Sequence, residues 1–325
     1  MASQVNRRGF MKNTLVTSTG TALGLNAAQA ADSGAKSITV APNSQATLPQ
    51  GKIGDMKVSR ILLGGNLLTH YTHSRDLKYV YNLTAAYNTE QKIFETMALA
   101  EAHGINTLSI HNPPGILTML KKYRYQVGGK MQWIICPTAP IEPDMEAYSK
   151  QVTELVQDGT DAIYLWGVRS DQLLKQGRID LIRQAVEIAK DHGVPSGVGA
   201  HDLEVVKACE EHKIPNDFYI KTFHHHNYAT APKPHEIKNP YQEIPGYWCK
   251  DPQETIDVMS KVTKPWIAFK VMAAGAIPPK DAMQYVFDNG ADHTLLGMFD
   301  FEIAEDVRIA KEVLPKVKRT RTWFS

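Results

Sequence analysis

Twelve histidines in a chain of 325 residues are the side chains best suited to chemistry near neutral pH. Imidazole is both a common metal ligand and a proton carrier in that range. In the run His224-His225-His226, the outer two lie on one face of an extended segment while His225 turns to the other. Such a pair can grip a divalent metal such as zinc or manganese, with His201 completing the set and Asp202 orienting an imidazole. The alternative is a group of histidines that hydrogen-bond without metal. Lys270 lies inside the apolar run Trp266-Ile267-Ala268-Phe269-Lys270-Val271. Turned inward it would be desolvated and give up its proton readily, as a general base or a Schiff-base amine must. Turned outward it would snorkel between helices. Lys221 is a second candidate of the same kind and shares the parity of His225.

The elements that position these residues follow from periodicity. From Gly51 the chain alternates short apolar or β-branched runs with helix-period segments. Strands are predicted at residues 59–63, 106–110, 132–136, 162–166, 197–199, 218–223, 266–271 and 294–297. Helices are predicted at 89–103, 115–127, 145–157, 171–192, 203–212, 252–262, 280–288 and 302–313. His103-Gly104, Asp158-Gly159, His192-Gly193 and Asn289-Gly290 end helices as a left-handed glycine does. Eight such alternations predict an α/β fold, a parallel (β/α)8 TIM barrel. Two connections are long, 67–88 after the first strand and 224–251 after the sixth, and both belong to the barrel's C-terminal mouth.

Sorted on this frame, His103, His192, His212 and His293 fall away from the mouth and have structural work. His70, His73, His111, His201, His235 and the strand-six trio fall on it. Lys270 and His111 are therefore expected to exchange protons, with Asp202 as orienter. His70, His73, Arg75, Trp166, Arg169 and Asn227 are expected to bind substrate. Gly275, Ala276 and Gly297, at the ends of strands seven and eight, could cradle a cofactor phosphate on backbone N–H groups; the other reading is tight turns that need glycine.

The N-terminus carries an address. Asn6-Arg7-Arg8-Gly9-Phe10-Met11-Lys12, an uncharged stretch to Asn26 and the small-residue site Ala28-Gln29-Ala30 have the order of a twin-arginine export signal. The expected layout is a signal over 1–30, a flexible leader over 31–50 and one barrel domain over 51–325. The expected location is the periplasm or beyond, after cleavage near Ala30, with the twin-arginine translocase as partner during export. The apolar stretch is too short and too polar for a permanent membrane span. Lys and Arg total 36 against 34 Asp and Glu, and the only basic tract is residues 316–321. Nucleic acid, which needs a concentrated positive face, is not an expected partner. Three cysteines imply no disulfide framework.

Gly51-Lys52-Ile53-Gly54, Lys57-Val58-Ser59-Arg60 and Leu63-Gly64-Gly65-Asn66 resemble the opening of an aldo/keto reductase. Gly104-Ile105-Asn106-Thr107 and Asp161-Ala162-Ile163-Tyr164-Leu165 resemble that family's second-strand entry and fourth strand. The resemblance implies a barrel with nicotinamide at its mouth. The family's catalytic tetrad does not carry over: its positions fall on Ser109, near Pro114, near Cys136 or Pro137, and on Trp166. Fold kinship alone does not assign chemistry. The first expectation is thus an exported enzyme acting on a carbohydrate or polyol-type small molecule by acid–base chemistry, with or without metal, of isomerase, lyase or hydrolase type. The alternatives are an NAD(P)-dependent oxidoreductase and a non-catalytic solute-binding barrel.

Overall fold

The computed structural model describes residues 47–325; the signal, its cleavage site and most of the leader lie outside the described residues. The described chain opens with an antiparallel hairpin, β1 (Gln50–Ile53) and β2 (Met56–Ser59), turning at Gly54, whose φ of 57° suits a two-residue turn. Eight parallel strands then close a barrel: β3 (Ile61–Gly64), β4 (Thr107–His111), β5 (Gln132–Cys136), β6 (Ala162–Leu165), β7 (Ser196–Ala200), β8 (Phe218–Thr222), β9 (Trp266–Phe269) and β10 (His293–Leu296), with β10 pairing back onto β3. Helices pack outside, as a right-handed βαβ crossover requires. They are α1 (Tyr79–Tyr87), α2 (Glu90–Ala102), α3 (Ile116–Lys122), α4 (Glu146–Gln157), α5 (Gly167–Lys175), α6 (Ile179–Asp191), α7 (Leu203–Glu211), α8 (Pro252–Met259), α9 (Pro279–Asp288) and α10 (Asp300–Val313). The predicted barrel is the observed one.

Strand alternation divides the core in two. Leu62, Ile134, Ala162, Phe218, Ile220 and Ile267 fill the barrel, while Trp133, Tyr219, Phe223 and Trp266 face the helices. Gly197 makes room inside: a Cβ there would stand 2.4 Å from the Phe218 ring. Ile53 and Val58 of the hairpin join the inner cluster, so the hairpin is a plug in the barrel's floor. Each such fully buried aliphatic side chain stabilises the fold by about 1.5–3 kcal/mol.

The C-terminal tract is a strap. Buried Arg321 holds Asp292 at 2.6 Å and the carbonyls of Val262 and Lys264, while Arg60 and Arg319 stack on Trp323. His293 bonds the Ser59 carbonyl at this same end, and His103, His192 and His212 are the C-cap residues of α2, α6 and α7. All four have the structural placement their positions imply.

Four details differ from the pattern-based reading. The first long connection, expected over 67–88, contains a helix, α1. Ser59 belongs to the hairpin, and the barrel begins at Ile61 because the Ser59 hydroxyl bonds the Ile61 carbonyl at a corner. Residues 171–192 form two helices, not one, since Gly177 takes φ 72° and stops α5. The seventh barrel strand ends at Phe269 because Lys270 leaves the extended conformation. Among the described residues no helix is long and apolar enough to cross a membrane, and the three cysteines are buried and free.

Candidate functional site

The two long loops meet over the barrel mouth, and Arg75 joins them. Its guanidinium donates to Thr230 Oγ1 (2.6 Å) and to the carbonyls of Pro245 (2.8 Å) and Thr230 (3.2 Å). The first loop thereby brings His73, and the second Glu243 and Trp248, above the end of β9.

Strand parity alone would send Lys270 outward, because Trp266 and Ala268 face the helices while Ile267 and Phe269 face the barrel interior. A left-handed backbone at Lys270, φ 57°, turns the side chain into the mouth instead. For a residue with a Cβ that conformation costs on the order of 1–2 kcal/mol. The Lys270 amine donates to His73 Nε2 at 2.8 Å, and His73 Nδ1 donates to Glu243 Oε1 at 2.5 Å. The Trp248 ring centroid lies 5.1 Å from Lys270 Nζ. Amine, imidazole and carboxylate form one line.

The electrostatics follow from burial. Desolvation carries Lys270 from its usual 10.5 down to about 7, against the opposing pull of Glu243. Burial also lowers His73, more than the Glu243 hydrogen bond raises it. For Glu243 burial acts upward, but the His73 hydrogen bond and the nearby Lys270 amine outweigh it and hold the carboxylate below its usual range. The arrangement at neutral pH is a carboxylate, a neutral imidazole protonated on Nδ1, and an amine poised between its two states.

Around this line stands a wall of rings. His111 stacks on Trp166 at 6.1 Å and meets the edge of Tyr71, which also meets His73. Burial, and then the proximity of the His73 imidazole, lowers His111 to about 4. On the other side His201, 6% exposed, packs 4.4 Å from the Tyr241 ring. His201 Nδ1 donates to Asp171 Oδ2 at 2.8 Å, and Asp171 Oδ1 accepts the backbone N–H groups of His201 and Asp202. Burial holds His201 near 4 in spite of Asp171.

Several expected partners are placed elsewhere. Asp202 does not orient an imidazole; its carboxylate accepts from Glu204 N as the N-cap of α7, and Asp171 has the orienting position. Arg75 is spent on loop carbonyls. His70 bonds the Asn88 carbonyl, Asn227 sits exposed in the turn after His226, and Arg169 bonds Gln172 with its Nε buried and unpartnered.

His224 and His226 do lie together, with centroids 5.6 Å apart, but they anchor the second loop. His224 is fully buried; its Nδ1 donates to the His225 carbonyl and its Nε2 accepts the Trp248 N–H, both at 2.9 Å. His226 Nε2 donates to the Cys249 carbonyl at 2.7 Å. With both nitrogens used, His224 has no lone pair for a metal, so His201, His224 and His226 as placed do not fit a shared divalent ion. No cluster of three metal-ligating side chains occurs among the described residues.

Nor do Gly275, Ala276 and Gly297 fit a phosphate. Ala273, Ala274 and Gly275 make a left-handed turn, but the helix after it begins Pro278-Pro279, and proline offers no N–H. The helix after Gly297 has Asp300 and Glu302 in its first turn, where they repel an anion. Lys221 is buried and spends its amine on the Thr222 carbonyl and hydroxyl.

Glu243, Asp171 and Tyr241 escaped the pattern-based reading. Asp171 had a signal, an acid in the first helical turn after a strand end. Glu243 had none, lying 170 residues from His73 in an irregular loop.

No protein-family model and no curated protein matches the chain. Among solved structures the barrel is similar to a Pseudomonas aeruginosa protein assigned as an aldo-keto reductase, at TM-score 0.55 and 16% identity, covering 84% of this chain and 97% of that one. A sialic acid synthetase from Leptospira borgpetersenii gives TM-score 0.47 and 12% identity over 85% and 93% of the two chains. A mandelate oxidase variant carrying an FMN monooxide adduct gives 0.47 and 11% over 86% and 80%. The likeness is one of fold.

Proposed function

We propose that this protein is an exported barrel enzyme that moves protons on a carbohydrate or polyol-type substrate, with Lys270 as the central acid–base group. One observation carries the reading: the Lys270 amine is held by His73, which is held in turn by Glu243, in a dense ring of aromatic side chains. A general base works best with a pKa near the operating pH, and burial brings Lys270 there. His111 and His201, both kept neutral, serve as hydrogen-bonding and proton-accepting groups on either side. Tyr71, Trp166 and Tyr241 offer apolar faces with polar edges, the surface that suits the C–H faces and hydroxyls of a sugar. The twin-arginine motif at Arg7-Arg8 supports export of the already folded chain.

The test is proton exchange. The protein is incubated in deuterated water with a panel of aldoses, ketoses and uronic acids, and deuterium entry at carbons next to a carbonyl is read by NMR. The parent should catalyse exchange on at least one class, and Lys270→Met should lose it while remaining folded and able to bind that compound. Equal exchange by parent and Met variant would reduce Lys270 to a wall residue and end the proposal.

A further inference from the structure

The chain holds two lysines in dense surroundings, and their settings differ. Lys221, 1% exposed, spends its amine on the Thr222 carbonyl and hydroxyl at 2.9 and 3.0 Å. Lys270 is only half-buried, and its one side-chain hydrogen bond is to His73 Nε2. Because Nε2 is the accepting nitrogen, the amine keeps its lone pair and a second N–H for the mouth. Among the described residues it is also the mouth's only strong nucleophile, since all three thiols are buried and no serine or threonine hydroxyl in the mouth has an imidazole at hydrogen-bond distance shorter than the 3.5 Å of Thr69 and His111.

We infer that Lys270 captures its substrate covalently, as an imine formed on the carbonyl carbon of a small open-chain hydroxy-ketone or hydroxy-aldehyde. The inference rests on the acid–base reading above and names the substrate class for the same site. In the first step the Lys270 lone pair adds to the carbonyl carbon, the carbonyl π pair moves to oxygen, and the oxygen takes up a proton from solvent. The nitrogen sheds one proton to His73 Nε2. In the second step the carbinolamine hydroxyl takes that proton from His73 and leaves as water, and the nitrogen lone pair closes the C=N bond. The sum is amine, carbonyl compound and one proton giving a protonated imine and water, with no change of oxidation state. His73 lies where the proton must cross. The cationic imine then sits against the Trp248 face and within the field of Glu243, both of which favour positive charge. An imine at this position withdraws electrons from the neighbouring carbon, the step that isomerisation or carbon–carbon cleavage of a hydroxy-carbonyl compound needs.

Two labelling arms on the full chain, read by peptide mass mapping, test this. Trace acetic anhydride from about pH 6 to 10 reports which lysines carry a neutral, reachable amine. Dihydroxyacetone with sodium cyanoborohydride at neutral pH fixes any imine as a stable secondary amine. At neutral pH an amine titrating near 7 is deprotonated on the order of 10³ times more often than one at 10.5. The Lys270 peptide should therefore acquire the reduced dihydroxyacetone adduct at least about tenfold faster than exposed lysines, with Lys221 silent. Lys270→Arg should abolish the adduct in that peptide, and His73→Asn should slow its formation about tenfold with the fold intact. Acetylation of Lys270 at neutral pH without dihydroxyacetone capture would overturn covalent catalysis and leave the acid–base reading standing. Neither label at Lys270 would remove both. Capture of pyruvate but not of dihydroxyacetone would overturn the assigned substrate class.

Discussion

If burial is what lowers Lys270, its amine weakens the fold, and removing it should stabilise the protein. Lys270→Met keeps the length of the stem and deletes the ionisable group. The unfolded chain holds the lysine proton up to about pH 10.5, whereas the folded chain releases it near 7. Unfolding thus takes up a proton between those values, and stability rises with pH across the window. Below the folded value the penalty is full. At about 1.4 kcal/mol per pKa unit it would reach roughly 5 kcal/mol for a sealed group. The side chain is partly open to the mouth, so solvent screening reduces that to about 2–3 kcal/mol. Loss of the bond to His73 returns about 1 kcal/mol. The Met variant should therefore be about 1–2 kcal/mol more stable than the parent near pH 6, with the gap closing or reversing near pH 10. Urea unfolding followed by tryptophan fluorescence at those two pH values decides the matter. A Met variant weaker than the parent near pH 6, or a gap independent of pH, would show that the amine is not desolvated.

Other consequences are equally open to measurement. Burial holds His111, His201 and His293 near 4 and His224 near 3, so the unfolded chain binds more protons between about pH 6.5 and 4 and stability should fall steeply with acid in that range; urea midpoints that stay flat there would contradict the burial of these rings. Asp171→Asn, which disturbs three hydrogen bonds around His201, should cost about 1–3 kcal/mol and move the His201 ring resonances, whereas Asp202→Asn should cost less than about 1 kcal/mol and leave them in place. Equal effects of the two substitutions on the His201 resonances would remove Asp171 from the orienting role. Replacing Arg7 and Arg8 together by Lys should leave uncleaved precursor inside the cell, and normal export of that variant would reject the twin-arginine reading.

What could be read from sequence is what depends on local pattern. Alternating runs and glycine-ended helices are short-range signals, and all eight barrel strands were visible in them. So was the sorting of His103, His192, His212 and His293 away from the mouth, because helix ends and strand starts of a barrel lie at its floor. The site was only half visible. His111, Trp166, His201 and Lys270 sit at strand ends, so topology alone carries them to one place. Partner choice is another matter. Asp202 follows His201 in sequence yet caps a helix, because an aspartate at an N-cap is drawn to the N–H groups ahead of it. His224 and His226 have a metal pair's spacing, but backbone groups of the second loop compete for their nitrogens. Lys270 reaches the mouth through a left-handed backbone that no alternation rule contains, and Glu243 reaches His73 through loop geometry alone.

The Arg75 clasp between the two long loops has a meaning for how such a site can be moved. Amine, imidazole and carboxylate come from three stretches of chain that share no strand, and the clasp gives two of them a common position. Neither loop is a portable module. A recipient barrel given only the first loop would gain a histidine without its carboxylate, and one given only the second would gain a carboxylate with nothing to hold. Transplanting this centre requires both loops, their clasp and the turn at Lys270 together, and deleting any one of these parts from the donor should disperse the rest.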